Sequence, residues 1–193
     1  MTTLYLARHG ESDWNAQNRF QGHTDRPLTD LGRHQAERLA EEVAALRLAA
    51  IYTSPLQRCT ETAEIVSRHV GLEPVVAGAL CEVDVGSWAG LTRAEVERRF
   101  PDGFRSWISG GNGWRDGETY EEMAERVLAA VRSIAAAHPG EEVLAISHGG
   151  PIRAVHAAAL GMDVQTYRRM RRVEPNARLS AVAVENGRIA RID

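Results

Sequence analysis

The chain has 193 residues, enough for one domain with a sizeable core, and 44% hydrophobic with 25% charged residues is ordinary globular composition. A formal charge of -3 supplies no basic stripe for nucleic acid and no reason to expect a membrane partner. No apolar run approaches a bilayer span, and the start lacks the charged and apolar stretches of a signal peptide. All 23 basic residues are arginine, a bias we read as genomic, and the two cysteines, Cys59 and Cys81, read as small buried hydrophobes of a reduced, cytoplasmic protein.

Leu4–Ala7 is a short apolar run ending on Arg8-His9-Gly10, which reads as a buried strand running into a turn. Thr29 to Leu46 predicts an amphipathic helix with Leu31, Gln35, Leu39, Val43 and Leu46 on or beside one stripe. Ile51–Thr53 predicts a second strand, with Ser54 as N-cap and Pro55 in the first position of a helix carrying Leu56, Cys59, Ala63, Val66 and Val70 inward. Pro74–Val76 is a third strand candidate. Thr92 with Glu95 and Thr119 with Glu122 form capping boxes, the second opening a helix through Met123, Val127, Val131 and Ile134 to a Pro139-Gly140 stop. Between them, residues 101–117 show no period and read as a short lid-like insert within a single domain spanning 1–193. Val143–Ile146 predicts a buried parallel strand leading to His148, with Pro151 starting a helix, and Asn186-Gly187 predicts a hairpin between Leu179–Val184 and Arg188–Ile192. The order implies an α/β fold, a three-layer α/β/α sandwich with a mostly parallel central sheet and an antiparallel edge. The missing Gly-x-Gly-x-x-Gly after the first strand argues against a dinucleotide fold.

Three chemistry-bearing segments, Arg8-His9, Arg58 and His148, follow strands, so the carboxyl edge of one sheet would gather two histidines and two arginines. Helix N-termini there favour an anion. Guanidinium groups neutralise a phosphate, a neutral imidazole attacks it, and Glu82 serves as proton donor and then as base. Each residue alone has a plainer reading: a hydrogen-bonded strand-end histidine, a solvated arginine, a loop glutamate. The remaining histidines on helices, His34, His69, His138 and His156, read as surface or packing residues, and clustered arginines disfavour a metal.

Leu6 through Asn15, Arg19-Phe20-Gln21-Gly22 with Pro27-Leu28-Thr29, Ser54-Pro55-Leu56-Gln57-Arg58 through Ala63, Glu82 through Gly90, and Ser147-His148-Gly149-Gly150 together resemble the histidine phosphatase superfamily in its phosphoglycerate mutase-like branch. The resemblance implies a phosphohistidine on His9, with Arg8, Arg58 and His148 holding the phosphoryl group and Glu82 moving the proton. It places Asn15, Gln21, Gly22 and Gly149 beside the phosphate and Arg93 on the substrate. It implies no metal and no cofactor, a small phosphate ester as partner, and a homodimer as one open assembly state. The chain departs from the family pattern at Cys59, Ala89 and Arg178. The short insert, the absence of an arginine pair after Trp107 and the end of the sequence soon after the hairpin favour a phosphomonoesterase over the alternative, a mutase using the same intermediate. A non-catalytic phosphate-binding scaffold is the third reading. Trp107 and Trp114 are candidates for an apolar substrate wall. The run Arg168-Arg169-Met170-Arg171-Arg172 reads first as a solvated helix face and second as a grip on an anionic substrate.

Overall fold

In the computed structural model, which describes residues 1–192, the central sheet has six strands. Chain order runs β1 (Thr2–Arg8), α1 (Asp13–Ala16), α2 (Asp30–Val43), β2 (Leu48–Thr53), α3 (Gln57–Val70), β3 (Pro74–Val76), α4 (Arg93–Arg99), α5 (Pro101–Ile108), α6 (Tyr120–Ala137), β4 (Glu142–Ser147), α7 (Gly149–Ala159), α8 (Val164–Met170), β5 (Leu179–Glu185) and β6 (Arg188–Arg191). The strands lie in the order β3-β2-β4-β1-β5-β6. The first four are mutually parallel, while β5 runs antiparallel to β1 and β6 to β5.

Strand alternation divides the apolar residues between two cores. Leu4 and Leu6 face a cluster with Met123, Val127 and Val131 of α6 and Ile152 and Val155 of α7. Ala7 belongs to the opposite cluster, with Leu39 and Val43 of α2 and Cys59, Ala63 and Val66 of α3. Helices therefore cover both faces, as parallel strands require. Asn186 and Gly187, both at positive φ (50° and 76°), close the β5–β6 hairpin in the manner of a type I′ turn.

Register decides where the chemistry sits. Arg8 pairs with Ser147 and Thr53 with Ile146, so His9 and His148 leave adjacent parallel strands at one level and Ser54 leaves the third within one residue of it. A close backbone approach then locks the His9 turn: a Cβ on Gly10 or on Gly32 would fall onto the other segment's backbone oxygen.

Four local expectations need correction. The buried row of α2 is Gly32, Ala36, Leu39, Ala40 and Val43, with Leu31 54% exposed, because the contact with the His9 turn demands the small residues on that face. Helix α3 starts at Gln57 with Leu56 in the cap position, and Ser54 stands before it, its Oγ accepting from Leu56 N–H at 3.4 Å and from His148 Nε2–H at 2.8 Å. Helix α7 starts at Gly149, two residues before Pro151, with His148 itself at the N-cap. Residues 101–108 are helical, with Pro101 in the first turn. Gly103 sits against Gly113 and Trp88, which explains an apolar pattern too short to read as a period. Both capping boxes are present. Among the described residues no helix is long and apolar enough to cross a membrane.

Candidate active site

His9 follows β1 and is buried, with its Nδ1 2.6 Å from the carbonyl of Gly10. A carbonyl only accepts, so Nδ1 carries the proton and Nε2 keeps its lone pair. Burial holds the His9 pKa well below the usual histidine range, and the charges of Arg58 and then Arg8 add to that. The ring is neutral at pH 7. Its backbone carbonyl is gripped by the side-chain amide of Asn176 (3.0 Å).

His148 packs edge-on to His9 with ring centroids 5.1 Å apart. Arg58 Nε–H donates to His148 Nδ1 at 3.2 Å, which leaves Nε2–H to donate to Ser54 Oγ at 2.8 Å. Burial lowers the His148 pKa well below its ordinary value as well, with Arg58 next. Arg58 is buried (1% exposed), and its terminal nitrogens donate to the carbonyls of Thr24 and Gly22, each at 2.9 Å. Gly22 can turn that carbonyl inward because it sits at φ 51°, where a Cβ would also crowd Val85. Arg8 is fixed by the Glu174 carbonyl at 2.8 Å, and its Nε is buried without a partner.

Glu82 stands against the start of α7. Its Oε1 accepts from the backbone N–H groups of Val83 (2.9 Å) and Gly150 (3.1 Å), while Oε2 has only a 3.4 Å contact with Gly150. One oxygen is held and the other is available. Arg126 of α6 fixes the segment beneath by donating to the carbonyls of Ala79, Cys81 and Glu82 while pairing with Glu118.

These groups enclose a cavity of about 280 Å³ lined by Arg8, His9, Arg58 and Glu82, with Asn15, Gln21, Gly22 and Gly149 also on its wall. Asn15 and Gln21 spend their oxygens internally: Asn15 Oδ1 accepts from Ser12 N–H and from Asn176, and Gln21 Oε1 accepts from the Ser12 hydroxyl. Their amide N–H groups remain for a ligand. His148 backs the cavity through Arg58 instead of lining it.

Other expected residues lie elsewhere. Arg93 is exposed and stacks over Phe104 and Trp107 (5.3 and 5.6 Å to the ring centroids); α5, unforeseen in the sequence, presents those rings to it. Trp107 and Trp114 pack on Trp88 behind the wall residues Phe20 and Tyr120 and do not line the cavity themselves. The apolar wall comes from Phe20, Val83, Val85, Tyr120 and Val173. In the arginine run, Arg168 is half-buried, 3.5 Å from the centroid of the Tyr120 ring, whereas Arg169, Arg171 and Arg172 are exposed. Arg153, Tyr120 and Arg126 escaped notice: each sits on an ordinary helix face, and only tertiary packing brings it to the site.

Two histidines, two buried guanidinium groups and a carboxyl around one small cavity suit an incoming phosphate ester. Known proteins agree. The histidine phosphatase superfamily (branch 1) sequence profile matches residues 4–192. The chain belongs to that family. It is 34% identical over 169 residues to phosphoserine phosphatase 1 of Hydrogenobacter thermophilus, covering 86% of this chain and 80% of that one. The structure of Bacillus stearothermophilus YhfR superposes with a TM-score of 0.90 at 35% identity, covering 98% and 94% of the two chains. A mycobacterial glucosyl-3-phosphoglycerate phosphatase in complex with VO3 superposes at 0.87 and 30% identity, covering 97% and 95%. The enzyme is a phosphoric monoester hydrolase of the histidine phosphatase type.

Proposed function

We propose that the chain hydrolyses a small phosphate ester by way of a phosphohistidine on His9, without a metal. The observation that carries this reading is the His9 tautomer: its Nδ1 proton goes to the Gly10 carbonyl, leaving the Nε2 lone pair on a ring that lines the cavity. In the first step Nε2 attacks phosphorus. The bond to the ester oxygen breaks, and the departing alkoxide takes the proton of Glu82 Oε2. In the second, the Glu82 carboxylate removes a proton from water, whose oxygen attacks phosphorus. The N–P bond breaks, and its electron pair returns to Nε2. Inorganic phosphate leaves, and Glu82 is again protonated.

Arg8 and Arg58 neutralise the equatorial oxygens throughout. His148 acts on the phosphoryl group through Arg58, and the amides of Asn15 and Gln21 and the backbone at Gly22 and Gly149 complete the cradle. Two unpaired thiols, Cys59 and Cys81, fit a reducing compartment, and we read the enzyme as cytoplasmic.

The test is a phosphomonoester panel with alkaline-quench trapping. We expect an acid-labile, base-stable phosphoenzyme in the wild type and none in His9→Ala, with full activity after chelation. Turnover by His9→Ala at wild-type rate refutes the reading, as does loss of activity with chelator. Isomerisation of 3-phosphoglycerate faster than phosphate release makes the enzyme a mutase.

A further inference from the structure

Beyond the groups that handle phosphate, the cavity wall carries a third guanidinium. Arg153 lies on α7 one helical turn past Gly149, so its side chain rises on the same face as the Gly149–Gly150 start of the helix. Its Nε is buried without a partner, its only hydrogen bond is a 3.2 Å contact from a terminal nitrogen to the Arg171 carbonyl, and it forms no ion pair among the described residues. Across from it Tyr120, buried at the start of α6, presents its hydroxyl. That oxygen accepts from Trp107 Nε1 at 3.2 Å, and its own proton has no acceptor. Arg168 packs on the Tyr120 ring from outside and keeps the ring in place.

Charge counting says what these donors lack. Arg19, also on the wall, is matched by Glu95 at 3.3 Å. Arg8, Arg58 and Arg153 then contribute three positive charges. A phosphate dianion cancels two of them. Glu82 must be protonated to serve the leaving group and cancels none in that state, so one positive charge remains, and Arg153 shares the cavity wall with Tyr120. Burial already lowers the Arg153 pKa, a sign that the free guanidinium is poorly solvated where it stands. Glu174, which also faces Arg153, lies outside the cavity wall and its carboxylate is 3.9 Å from His156.

We propose that Arg153 and the Tyr120 hydroxyl form a carboxylate-binding subsite, so that the preferred substrate is a small phosphorylated carboxylic acid. A planar guanidinium and an adjacent O–H suit the two oxygens of a carboxylate. The cavity of about 280 Å³ is at the lower limit for small-molecule sites, which suits a two- or three-carbon body against Val83, Val85 and Val173 better than a nucleoside. This rests on the phosphatase reading for the phosphate end of the cavity.

Matched substrates isolate the carboxylate: O-phosphoserine against phosphoethanolamine, and 3-phosphoglycerate against glycerol 3-phosphate. The wild type should favour the carboxylated member of each pair in kcat/KM by ~10-fold or more. Arg153→Met should cost about 10- to 100-fold on the carboxylated substrates, chiefly through KM, the effect of one charge-assisted contact. It should leave the others within ~3-fold, which also shows that the variant folds. Tyr120→Phe should shift the same preference by a smaller factor. Equal kcat/KM within each wild-type pair overturns the subsite, as does an equal loss on both members in Arg153→Met. Calorimetric binding of 3-phosphoglycerate and glycerol 3-phosphate to His9→Ala separates the two readings. Preferential binding of the carboxylated ligand without wild-type turnover keeps the subsite and removes the phosphatase reading; no preference removes the subsite alone.

Discussion

Arg126 never touches the cavity, yet proton transfer should depend on it. Its guanidinium donates to three consecutive-segment carbonyls, Ala79 and Cys81 at 2.8 Å and Glu82 at 2.9 Å, and closes a two-point pair with Glu118 at 2.6 and 2.7 Å. It therefore fixes the backbone from which Glu82 reaches the start of α7. Hydrogen bonds to a charged group contribute roughly 1.5–3 kcal/mol each, are not additive, and are weakened here by partial exposure, so Arg126→Met should cost about 2–4 kcal/mol in all. For a chain of this size that is a Tm drop of roughly 5–15 °C. The kinetic effect should depend on the leaving group. General acid catalysis supplies about 10²–10⁴-fold, and a displaced Glu82 would forfeit on the order of 10² with an alkyl phosphate. A nitrophenyl phosphate, whose leaving group departs without a proton, should lose less than ~3-fold. Both substrates are assayed at 25 °C beside Glu118→Gln, a milder disturbance of the same brace. A uniform loss with both leaving groups refutes the positioning argument, as does an unchanged alkyl rate.

Two further outcomes concern stability. His9, His148 and His156 are neutral groups whose pKa values burial lowers in the folded state. The unfolded chain binds the extra protons, so stability is fully present above the unfolded value of about 6.5 and is lost as pH falls below it, by up to about 1.4 kcal/mol per pH unit per group. Urea midpoints at pH 7.5 and 5.0 should show that slope, and His9→Asn should make it shallower; an unchanged slope contradicts the assignment. Gly32→Ala, whose Cβ would meet the Glu11 backbone, should cost more than ~3 kcal/mol, whereas Gly78→Ala, with nothing within 4 Å, should stay within ~0.5 kcal/mol, both read by thermal unfolding.

The sheet was legible because β1 and β4 are short apolar runs that stop on their histidines, and parallel pairing puts such stops at one edge. Capping boxes at Thr92 and Thr119 marked helix starts for the same local reason. The misread positions are those where a distant contact overrules local preference. Leu31 yields the buried face of α2 to Gly32 because the His9 turn comes within backbone distance. Ser54 stands before the helix instead of at its cap, and its hydroxyl is shared between Leu56 N–H and His148. Arg168, in a run that looks solvated, finds the ring of Tyr120, and Arg153 looks like any polar residue of a helix until α6 closes over it. The cavity residues Arg8, His9 and Arg58 stand at or just past strand ends and can be read from sequence; the residues of the opposite side come from helix faces and cannot.

The phosphate end of the cavity carries guanidinium charge without a matching carboxylate among the described residues, and this too can be measured. Among the described residues Arg58 forms no ion pair: its hydrogen-bond partners are two carbonyls and an imidazole, and burial lowers its pKa. Arg8 has one carbonyl and a buried Nε with nothing to donate to. A dianion supplies what both lack, so inorganic phosphate should stabilise the fold by RT ln(1 + [L]/Kd), about 2.7 kcal/mol at one hundred times Kd. That is a Tm rise of roughly 5–10 °C for this length. His9→Ala should keep most of the rise, because charge holds the anion whether or not the nucleophile is present. Arg8→Met should lose most of it, which places the anion in this cavity. Differential scanning fluorimetry at constant ionic strength decides the matter. An equal rise with chloride, or a rise that vanishes with His9 and survives without Arg8, would mean that the guanidinium groups do not hold the phosphate.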